Sequence, residues 1–369
     1  MRIKNLKLSN FRNYKFADQN LSPGVNLILG ENAQGKTNLL EAVFFLSCVK
    51  SFHAKNEREL ILFGQNQAQI QAEVTTRERD LSLRIDLSAT AKRKIYENGI
   101  LQKKLLDYVG TVQTVLFSPD DLYLIKEGPA IRRRFLNIAI SQLKPNYIQA
   151  LAEYNRIIEH KNKILKNEDL SGRSDLIDVF NEKLAFTGAL IIKYRSNFIN
   201  ELLYFAKNIH NEMSGGRENL SLRYVTDRYI EDTNASPDEI SNALLRHLND
   251  RKSAELEAQS CLVGAHKDDM EILIDEKPAK FFASQGQIRT AVLSIKMAER
   301  DVFYKIGGEL PILLLDDVLS ELDENRQAYL LNKISHGQVI ISSCHNHMFS
   351  KASNISAFEV KSGEILKTN

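Results

Sequence analysis

The residues best suited to chemistry lie near the start of the chain, in the segment GENAQGKT from Gly30 to Thr37. This segment fits GxxxxGK(S/T), follows the apolar run VNLIL and precedes a stretch with helical spacing, the context that a phosphate-binding loop requires. Glycines let backbone N–H groups face phosphate oxygens at a helix N-terminus, while Lys36 adds a positive charge for the β and γ phosphates. The segment predicts a nucleotide site, and the alternative is a glycine-containing loop with a threonine cap.

The predicted nucleotide-binding residues are those of the loop and of the first helical turn after it. They are Gly30, Glu31, Asn32, Ala33, Gln34, Gly35, Lys36, Thr37 and Asn38.

A second candidate is the segment PILLLDDVLSELD (311–323), in which an apolar strand-like run ends in two adjacent carboxylates. Neighbouring residues of a strand point to opposite faces, so we expect Asp316 and Asp317 to have different roles. Asp316 is predicted to bind Mg²⁺ together with the hydroxyl of Thr37. Asp317 is predicted to be catalytic with Lys36, by orienting or deprotonating the attacking water. The alternative is an Asp-Asp pair that only ends a strand in a solvated turn.

A third candidate is the segment FFASQGQIRTAVLSIKMAER (281–300). Ser284 and Gln287 fit a Ser-x-x-Gln capping box, and the apolar residues that follow recur at helical spacing. The segment therefore predicts a capped core helix. A serine hydroxyl, a glycine and a helix N-terminus are also the components of an anion site, so both interpretations remain open at this point.

Two clusters of basic residues are candidate DNA contacts, although a net charge of +2 neither requires nor excludes nucleic acid as a partner. One cluster lies on a hairpin predicted from Asn98-Gly99, and the other opens a predicted helix. The candidates are Lys92, Arg93, Lys94, Lys103 and Lys104 on the hairpin, and Arg132, Arg133 and Arg134 on the helix. Contacts from such clusters go to the DNA backbone and are largely independent of sequence. Either cluster is alternatively a solvated surface.

The composition is typical of a globular protein, with 369 residues of which 43% are hydrophobic. The three cysteines lack CxxC spacing, which favours a reducing cytoplasm over a disulfide framework. No secretion signal and no membrane-spanning run is predicted, so we expect a cytoplasmic location and no membrane partner.

The order of the predicted elements indicates one α/β domain that both ends of the chain build around a helical insertion. We expect an N-terminal part of the domain over 1–127, a helical lobe over 128–258, and a C-terminal part over 259–369. The chain is expected to open with a β-hairpin that joins the strand of Ile3, Leu6 and Leu8 to a strand within 24–30.

Taken together, the motifs resemble those of the RecF family, which belongs to the ABC-type ATPases related to SMC proteins. The resemblance covers residues 8 to 323, in the family's order. It is carried by LSNFRNY, GENAQGKTNLLEAV, VLFSPDDLYLIKEGP, RRRFLN, EYNRIIEHKNKILK, GAHKDD, SQGQIRTAVLSIKMAER and LLLDDVLSELD. It implies an α/β fold, an ABC-type (SMC-like) ATPase head with a P-loop sheet and an antiparallel β layer. The helical lobe is implied to be inserted between the P-loop and the signature motif.

The resemblance also implies roles for individual residues. The signature motif would be Ser284, Gln285, Gly286 and Gln287, and it would act on ATP held by a second copy of the chain. Arg12 would reach the bound nucleotide, and Gln113 is a candidate Q-loop glutamine. Either Ser343 or His345 would sense the γ-phosphate.

Two histidine-containing clusters remain open as metal sites. One comprises Cys344, His345 and His347, for which no fourth ligand stands at useful spacing. The other comprises His266, Asp268 and Asp269, for which a structural or nucleotide-proximal turn is favoured over a metal.

In function, the resemblance implies an ATP-dependent DNA-binding protein of recombinational repair, replication and the SOS response. ATP and Mg²⁺ would induce a homodimer that binds duplex DNA near single-strand gaps and hydrolyses ATP slowly, with stimulation by DNA. The dimer would help to load the RecA recombinase through RecR and RecO. The alternative is the nucleotide-binding subunit of an ABC transporter, which shares the P-loop and the signature motif.

Overall fold

The computed structural model describes residues 1–167, 171–334, 336–344 and 355–367. The chain divides into two compact units. The first comprises Met1–Leu122, Glu212–Ser214 and Arg289–Asn369, and the second comprises Tyr123–Asn211 and Gly215–Ile288.

In chain order, the strands are β1 Arg2–Phe11, β2 Tyr14–Asn20, β3 Val25–Leu29, β4 Gln67–Thr75, β5 Asp80–Ser88, β6 Lys94–Glu97, β7 Ile100–Leu101, β8 Thr114–Phe117, β9 Leu220–Val225, β10 Asp269–Ile274, β11 Lys277–Pro278, β12 Ile312–Asp316, β13 Val339–Ser343, β14 Ile355–Lys361 and β15 Glu364–Lys367.

The α-helices, in the same order, are α1 Lys36–Cys48, α2 Tyr123–Lys126, α3 Pro129–Leu143, α4 Pro145–Lys166, α5 Arg173–Ser214, α6 Pro237–Asp250, α7 Lys252–Ala258, α8 Ala279–Phe282, α9 Gln285–Gly307 and α10 Glu324–Lys333.

The first unit contains an antiparallel sheet with the strand order β2-β1-β4-β5-β6-β7. Apolar residues alternate with polar ones along β4 and β5 and point into the core, the pattern of a sheet with one solvated face. Asn98 and Gly99 both have positive φ, as the tight turn between β6 and β7 requires, so the predicted hairpin is confirmed. The predicted opening hairpin is wrong, because β1 pairs with the polar strand β2 while β3 joins another sheet.

That other sheet has the order β15-β14-β3-β13-β12-β8, and β14, β3, β13, β12 and β8 run parallel. Its central strands are buried on both faces, which explains their continuous apolar sequences. Since β3, β12 and β13 run parallel, their carboxyl ends lie at one edge of the sheet. The loop that leads into α1, the pair Asp316 and Asp317, and Ser343 all occur at this edge.

The second unit combines helices with a small antiparallel sheet of order β11-β10-β9. The predicted helical lobe ended at residue 258, whereas the compact unit extends to Ile288. The physical reason is β9, a strand within the stretch predicted to be helical. It pairs with β10 from Asp269↔Val225 to Ile274↔Leu220, so residues after 258 fold with the lobe.

The α/β fold expected from the sequence, with a P-loop sheet and an antiparallel layer, is confirmed. Among the described residues, no helix combines the length and the apolar composition needed to cross a membrane.

Candidate functional site

The loop Gly30–Thr37 closes tightly because two of its residues must be glycine. Gly30 and Gly35 have φ of +153° and +120°, a region that L side chains rarely adopt. A Cβ on Gly30 would overlap the Val360 carbonyl oxygen, and one on Gly35 would lie 2.6 Å from Asn13 Nδ2. The glycines therefore allow neighbouring chain segments to approach the loop closely.

Side chains and backbone groups outside the loop fix its shape. Asn13 Nδ2 donates to the Gln34 carbonyl at 2.8 Å, and the Tyr14 hydroxyl donates to the Gly35 carbonyl at 2.9 Å. The Ser362 backbone N–H donates to Gln34 Oε1 at 2.6 Å. Asn13, Tyr14 and Ser362 were missed at the sequence level. Asn13 and Tyr14 belong to the NFRNY segment, which was the available signal, but nothing in the sequence places residue 362 beside residue 34.

Lys36 is held inside the loop. Its Nζ donates to the carbonyls of Gly30 and Glu31, both at 2.8 Å, and to Cys344 Sγ at 3.3 Å. Cys344 Sγ in turn donates to Asn32 Oδ1 at 3.0 Å. The ammonium is thus fixed by neutral acceptors, which leave its charge available to a phosphate that enters the loop.

A second group of oxygen atoms meets the start of α1. Thr37 Oγ1 and Ser342 Oγ both donate to Asp316 Oδ1, at 2.9 and 2.7 Å. A hydroxyl beside a carboxylate is the donor set that Mg²⁺ takes from a P-loop protein, with phosphate oxygens and waters as its other ligands. The residues fit the ion, and the roles of Thr37 and Asp316 as its ligands stay a prediction. Ser342 was missed in the sequence analysis.

Asp317 differs from Asp316 in backbone conformation, and not by the strand alternation that the sequence suggested. β12 ends at Asp316, and Asp317 has φ of +51° in the left-handed region. Strand alternation therefore does not apply to the pair, and the separate roles predicted for the two carboxylates stay a prediction. The Asp317 N–H donates to Ser342 Oγ at 3.0 Å, which ties this turn to β13.

Arg12 forms an ion pair inside the first unit. Its Nε and Nη2 donate to Glu41 at 2.6 and 2.9 Å, and Nη1 donates to the Glu59 carbonyl at 2.9 Å. Glu41 is completely buried and also accepts from the Ser51 hydroxyl. The structure thus gives Arg12 a stabilising role, while its contact with nucleotide stays a prediction.

Replacing Arg12 with Ala leaves the Glu41 carboxylate buried without its counter-charge. We expect this to lower the free energy of unfolding by about 3 kcal/mol. Chemical denaturation measures the effect. The matched variant Arg12→Ala/Glu41→Gln removes both charges and should recover part of the loss. Unchanged stability together with weakened ATP binding would contradict the structural role and favour the nucleotide contact.

Gln113 is not at the nucleotide edge, so its assignment to a Q-loop is wrong. It precedes β8, and its carbonyl accepts from the Ile312 N–H at 2.9 Å. Since β8 is parallel to β12, Gln113 lies at the amino edge of the sheet, about 13 Å from the carboxyl edge. The segment after β8, which begins at Ser118, lies at the carboxyl edge instead.

Of the two candidates for sensing the γ-phosphate, only Ser343 lies within the described residues. Ser343 ends β13, next to the strand that carries Asp316, and is buried. His345 lies outside the described residues, as does His347. The γ-phosphate contact of Ser343 stays a prediction.

The signature segment forms the capped helix that the sequence predicts. Ser284 Oγ accepts from the Gln287 N–H at 3.3 Å, and Gln287 Oε1 accepts from the Ser284 N–H at 2.8 Å. α9 starts at Gln285, and both Ser284 and Gln285 are exposed. Ser284 to Gln287 belong to the second unit, whereas Lys36 belongs to the first.

The basic cluster on α3 is only partly available to DNA. Arg132 is buried and donates to Asp269 through Nε and Nη2 at 2.7 and 2.8 Å, so its prediction as a DNA contact is wrong. Arg133 is half-buried and donates to the Asp268 carbonyl, whereas Arg134 is exposed.

The basic cluster on the hairpin is mostly exposed. Lys92, Lys94, Lys103 and Lys104 are exposed, while Arg93 is half-buried and paired with Glu57. The hairpin therefore presents more free positive charge than α3.

The cluster of His266, Asp268 and Asp269 forms an internal polar network in the second unit. His266 contacts the Tyr154 hydroxyl at 3.0 Å, and Asp268 accepts from Tyr224 and Thr226. Burial raises the pKa of Asp268 to about 6 and lowers that of His266 to about 4. Within the described ranges no group of three or more potential metal ligands is found. Whether the turn is structural or lies near the nucleotide stays open, as the sequence left it.

Comparison with known proteins identifies the family. The family model described as the RecF/RecN/SMC N-terminal domain matches residues 2–366. Curated relatives called DNA replication and repair protein RecF are 37% identical in Staphylococcus epidermidis, over 100% of both chains, and 36% identical in Clostridium perfringens SM101. The match to the Clostridium protein covers 93% of this chain and 92% of the relative.

Solved structures give the same result. A structure described as the recombination mediator protein RecF-ATP in the RecFOR pathway superposes with a TM-score of 0.93 and 34% identity, covering 100% of this chain and 97% of that one. An Smc head domain from Pyrococcus furiosus, at a TM-score of 0.57 and 17% identity over 99% of this chain and 95% of that one, shares the fold alone. The alternative of an ABC transporter subunit is wrong. The chain belongs to the RecF family of SMC-like ABC ATPases, with an ATP-dependent role in recombinational DNA repair.

Proposed function

We propose that the chain is a slow, DNA-stimulated ATPase that works as a switch in the cytoplasm, dimerising on ATP and binding duplex DNA beside single-strand gaps. The observation that carries the proposal is the convergence of Lys36, Thr37 and Asp316 at one edge of the parallel sheet. These residues supply a cation for phosphates and oxygen ligands for Mg²⁺.

In this proposal each residue of the first unit has one task. Backbone N–H groups of the loop and Lys36 bind the β and γ phosphates, and Asp317 orients the attacking water. Thr37 and Asp316 would hold Mg²⁺, which neutralises charge on the phosphates. ABC transporters usually have a glutamate where this chain has Asp317. The aspartate side chain is one methylene shorter, which agrees with slow hydrolysis.

The exposed, capped start of α9 completes the ATP site from a second copy. Ser284 and the N–H groups of the first turn of α9 would form an anion site. This site would bind a phosphate of the ATP molecule that the second copy holds. A two-fold dimer is self-complementary, so two ATP molecules would be bound in equivalent sites. ATP would stabilise the dimer by mass action, and hydrolysis would release it.

The exposed lysines of the β6–β7 hairpin and of the segments on either side of it are the proposed DNA contacts, namely Lys92, Lys94, Lys103 and Lys104. They would bind phosphates without reading the sequence. The RecFOR pathway named for the similar structure supports RecR and RecO as partners. Loading of RecA as the outcome rests on the family resemblance of the motifs.

The test is DNA binding with ATP and Mg²⁺. Lys92→Ala/Lys94→Ala should weaken binding to gapped DNA and lower the slope of log affinity against log salt by about 2, since two phosphate contacts are lost. Fluorescence anisotropy at several salt concentrations measures both quantities.

The matched control is Lys163→Ala/Lys166→Ala, which removes the same charge from exposed positions on α4. An equal loss in both variants would contradict a local interface. Wild-type protein that does not bind gapped DNA at all would contradict the proposed function itself.

A further inference from the structure

We propose that Phe63 stacks on an unpaired base where single-stranded DNA meets the duplex, next to a polar groove that holds the DNA backbone. The proposal rests on the proposed function and names the feature through which a gap is distinguished from plain duplex.

The groove lies on the solvated face of the antiparallel sheet and has a volume of ≈ 430 Å³. Four of its residues face one another across adjacent strands, in the order Ser9, Gln69, Asp86 and Lys94. Directly opposed residues of an antiparallel sheet point to the same face, so they form a continuous polar floor.

The charge of the groove is positive. Asp86 lies on its floor, but this carboxylate accepts from Gln69 Nε2 at 2.8 Å and lies 3.4 Å from Arg84 Nε. Lys92 and Lys94 line the groove and are exposed, and neither has an ion pair within the described part of the chain. The lysines are therefore free to bind phosphates.

Phe63 lies on a short loop whose two ends are hydrogen-bonded next to the groove. The Leu62 N–H donates to the Asn10 carbonyl at 2.8 Å, and the Ala89 N–H donates to the Asn66 carbonyl at 2.9 Å. Asn10 and Gln67, which line the groove, thus flank the two ends of the loop. Because the loop is only a few residues long, Phe63 must lie close to Asn10 and Gln67.

The backbone of the loop forms a defined turn. The Gln65 N–H donates to the Leu62 carbonyl at 2.9 Å, and Gly64 has φ of +82°, which together indicate a type II turn with Phe63 at its second position. The Phe63 side chain is fully exposed. An exposed phenyl ring on a loop next to a groove that carries free lysines is the combination that single-stranded nucleic-acid sites use, with bases stacked on aromatic rings and phosphates on cations.

Unpaired bases are the ligand that fits. A base inside a duplex has both faces covered by its neighbours, whereas the first base of a gap can leave the stack and offer a face to Phe63. Tyr96, the aromatic residue on the hairpin itself, is less suited, because the Arg84 guanidinium already covers its ring at 4.0 Å.

The experiment compares gapped with fully paired DNA in the presence of ATP and Mg²⁺. Phe63→Ala should lower affinity for gapped DNA about 10-fold and leave affinity for duplex within 2-fold, since stacking is lost but phosphate contacts remain. With 2-aminopurine as the first unpaired base, wild-type protein should change the probe's emission, and Phe63→Ala should abolish that change.

Three variants sharpen the test. Phe63→Tyr should retain gap preference, and Phe63→Leu should lose most of it, because leucine is apolar but lacks a ring. Phe186→Ala removes another exposed phenylalanine, on α5, and should have no effect.

An unchanged gap preference and 2-aminopurine signal in Phe63→Ala would overturn the inference. So would loss of ATP-dependent dimerisation in that variant, which would assign Phe63 to a protein contact. Wild-type protein that binds gap and duplex equally would refute gap recognition, whereas no DNA binding at all would refute the proposed function.

Discussion

Replacement of Lys36 by methionine is expected to lower the ATPase rate by about 100-fold or more. The ammonium is the positive charge that the loop directs at the β and γ phosphates, and removing one such group from a preorganised site costs rate on this scale. Lys36 is only 6% exposed. Because methionine keeps the apolar stem of the lysine, the packing at this position is largely retained. Steady-state phosphate release measures the loss.

Thermal unfolding separates lost chemistry from lost folding in this variant. Without ATP its melting temperature should lie close to that of the wild type, because water can replace Nζ at the carbonyls of Gly30 and Glu31. ATP should raise the wild-type melting temperature by linkage and leave that of the variant unchanged. An ATPase rate within a few-fold of wild type would contradict the assignment of Lys36.

Replacement of Ser284 by arginine is expected to abolish ATP-driven dimerisation while ATP binding to the monomer remains. The arginine would fill the space at the start of α9 that the partner's nucleotide must approach, whereas the phosphate-binding loop belongs to the other compact unit. Size-exclusion chromatography with light scattering, with and without ATP, measures the dimer. Because the ATPase site would be composite, wild-type activity should also rise more steeply than linearly with protein concentration.

Ser236→Arg is the matched control. Ser236 caps α6 through the same reciprocal hydrogen bonds, made with Glu239, and is exposed. Both substitutions therefore cost one capping box, about 1 kcal/mol, but only the one at Ser284 should prevent dimerisation. A persisting Ser284→Arg dimer, or strictly linear wild-type activity, would refute the two-chain ATP site.

Local sequence determined the elements whose geometry depends on few neighbours. GENAQGKT requires a tight glycine turn before a helix, Ser284 and Gln287 cap α9 through adjacent backbone groups, and Asn98-Gly99 specifies a hairpin. Each follows from the conformational preferences of a few consecutive residues. The phosphate-binding loop and the signature segment, in order with the other motifs quoted above, were enough to indicate the family.

Tertiary structure decided every feature that depends on strand pairing or burial. The sequence predicted Gln113 and Arg132 as functional residues, but the direction of β8 places the first at the opposite edge of the sheet, and the ion pair with Asp269 buries the second. Ser342 reaches Asp316 because β12 and β13 are neighbours in register. The loop of Phe63 lies next to the groove because its two ends are hydrogen-bonded to Asn10 and Ala89. Sequence spacing carries no information on such contacts, since they join residues far apart in the chain.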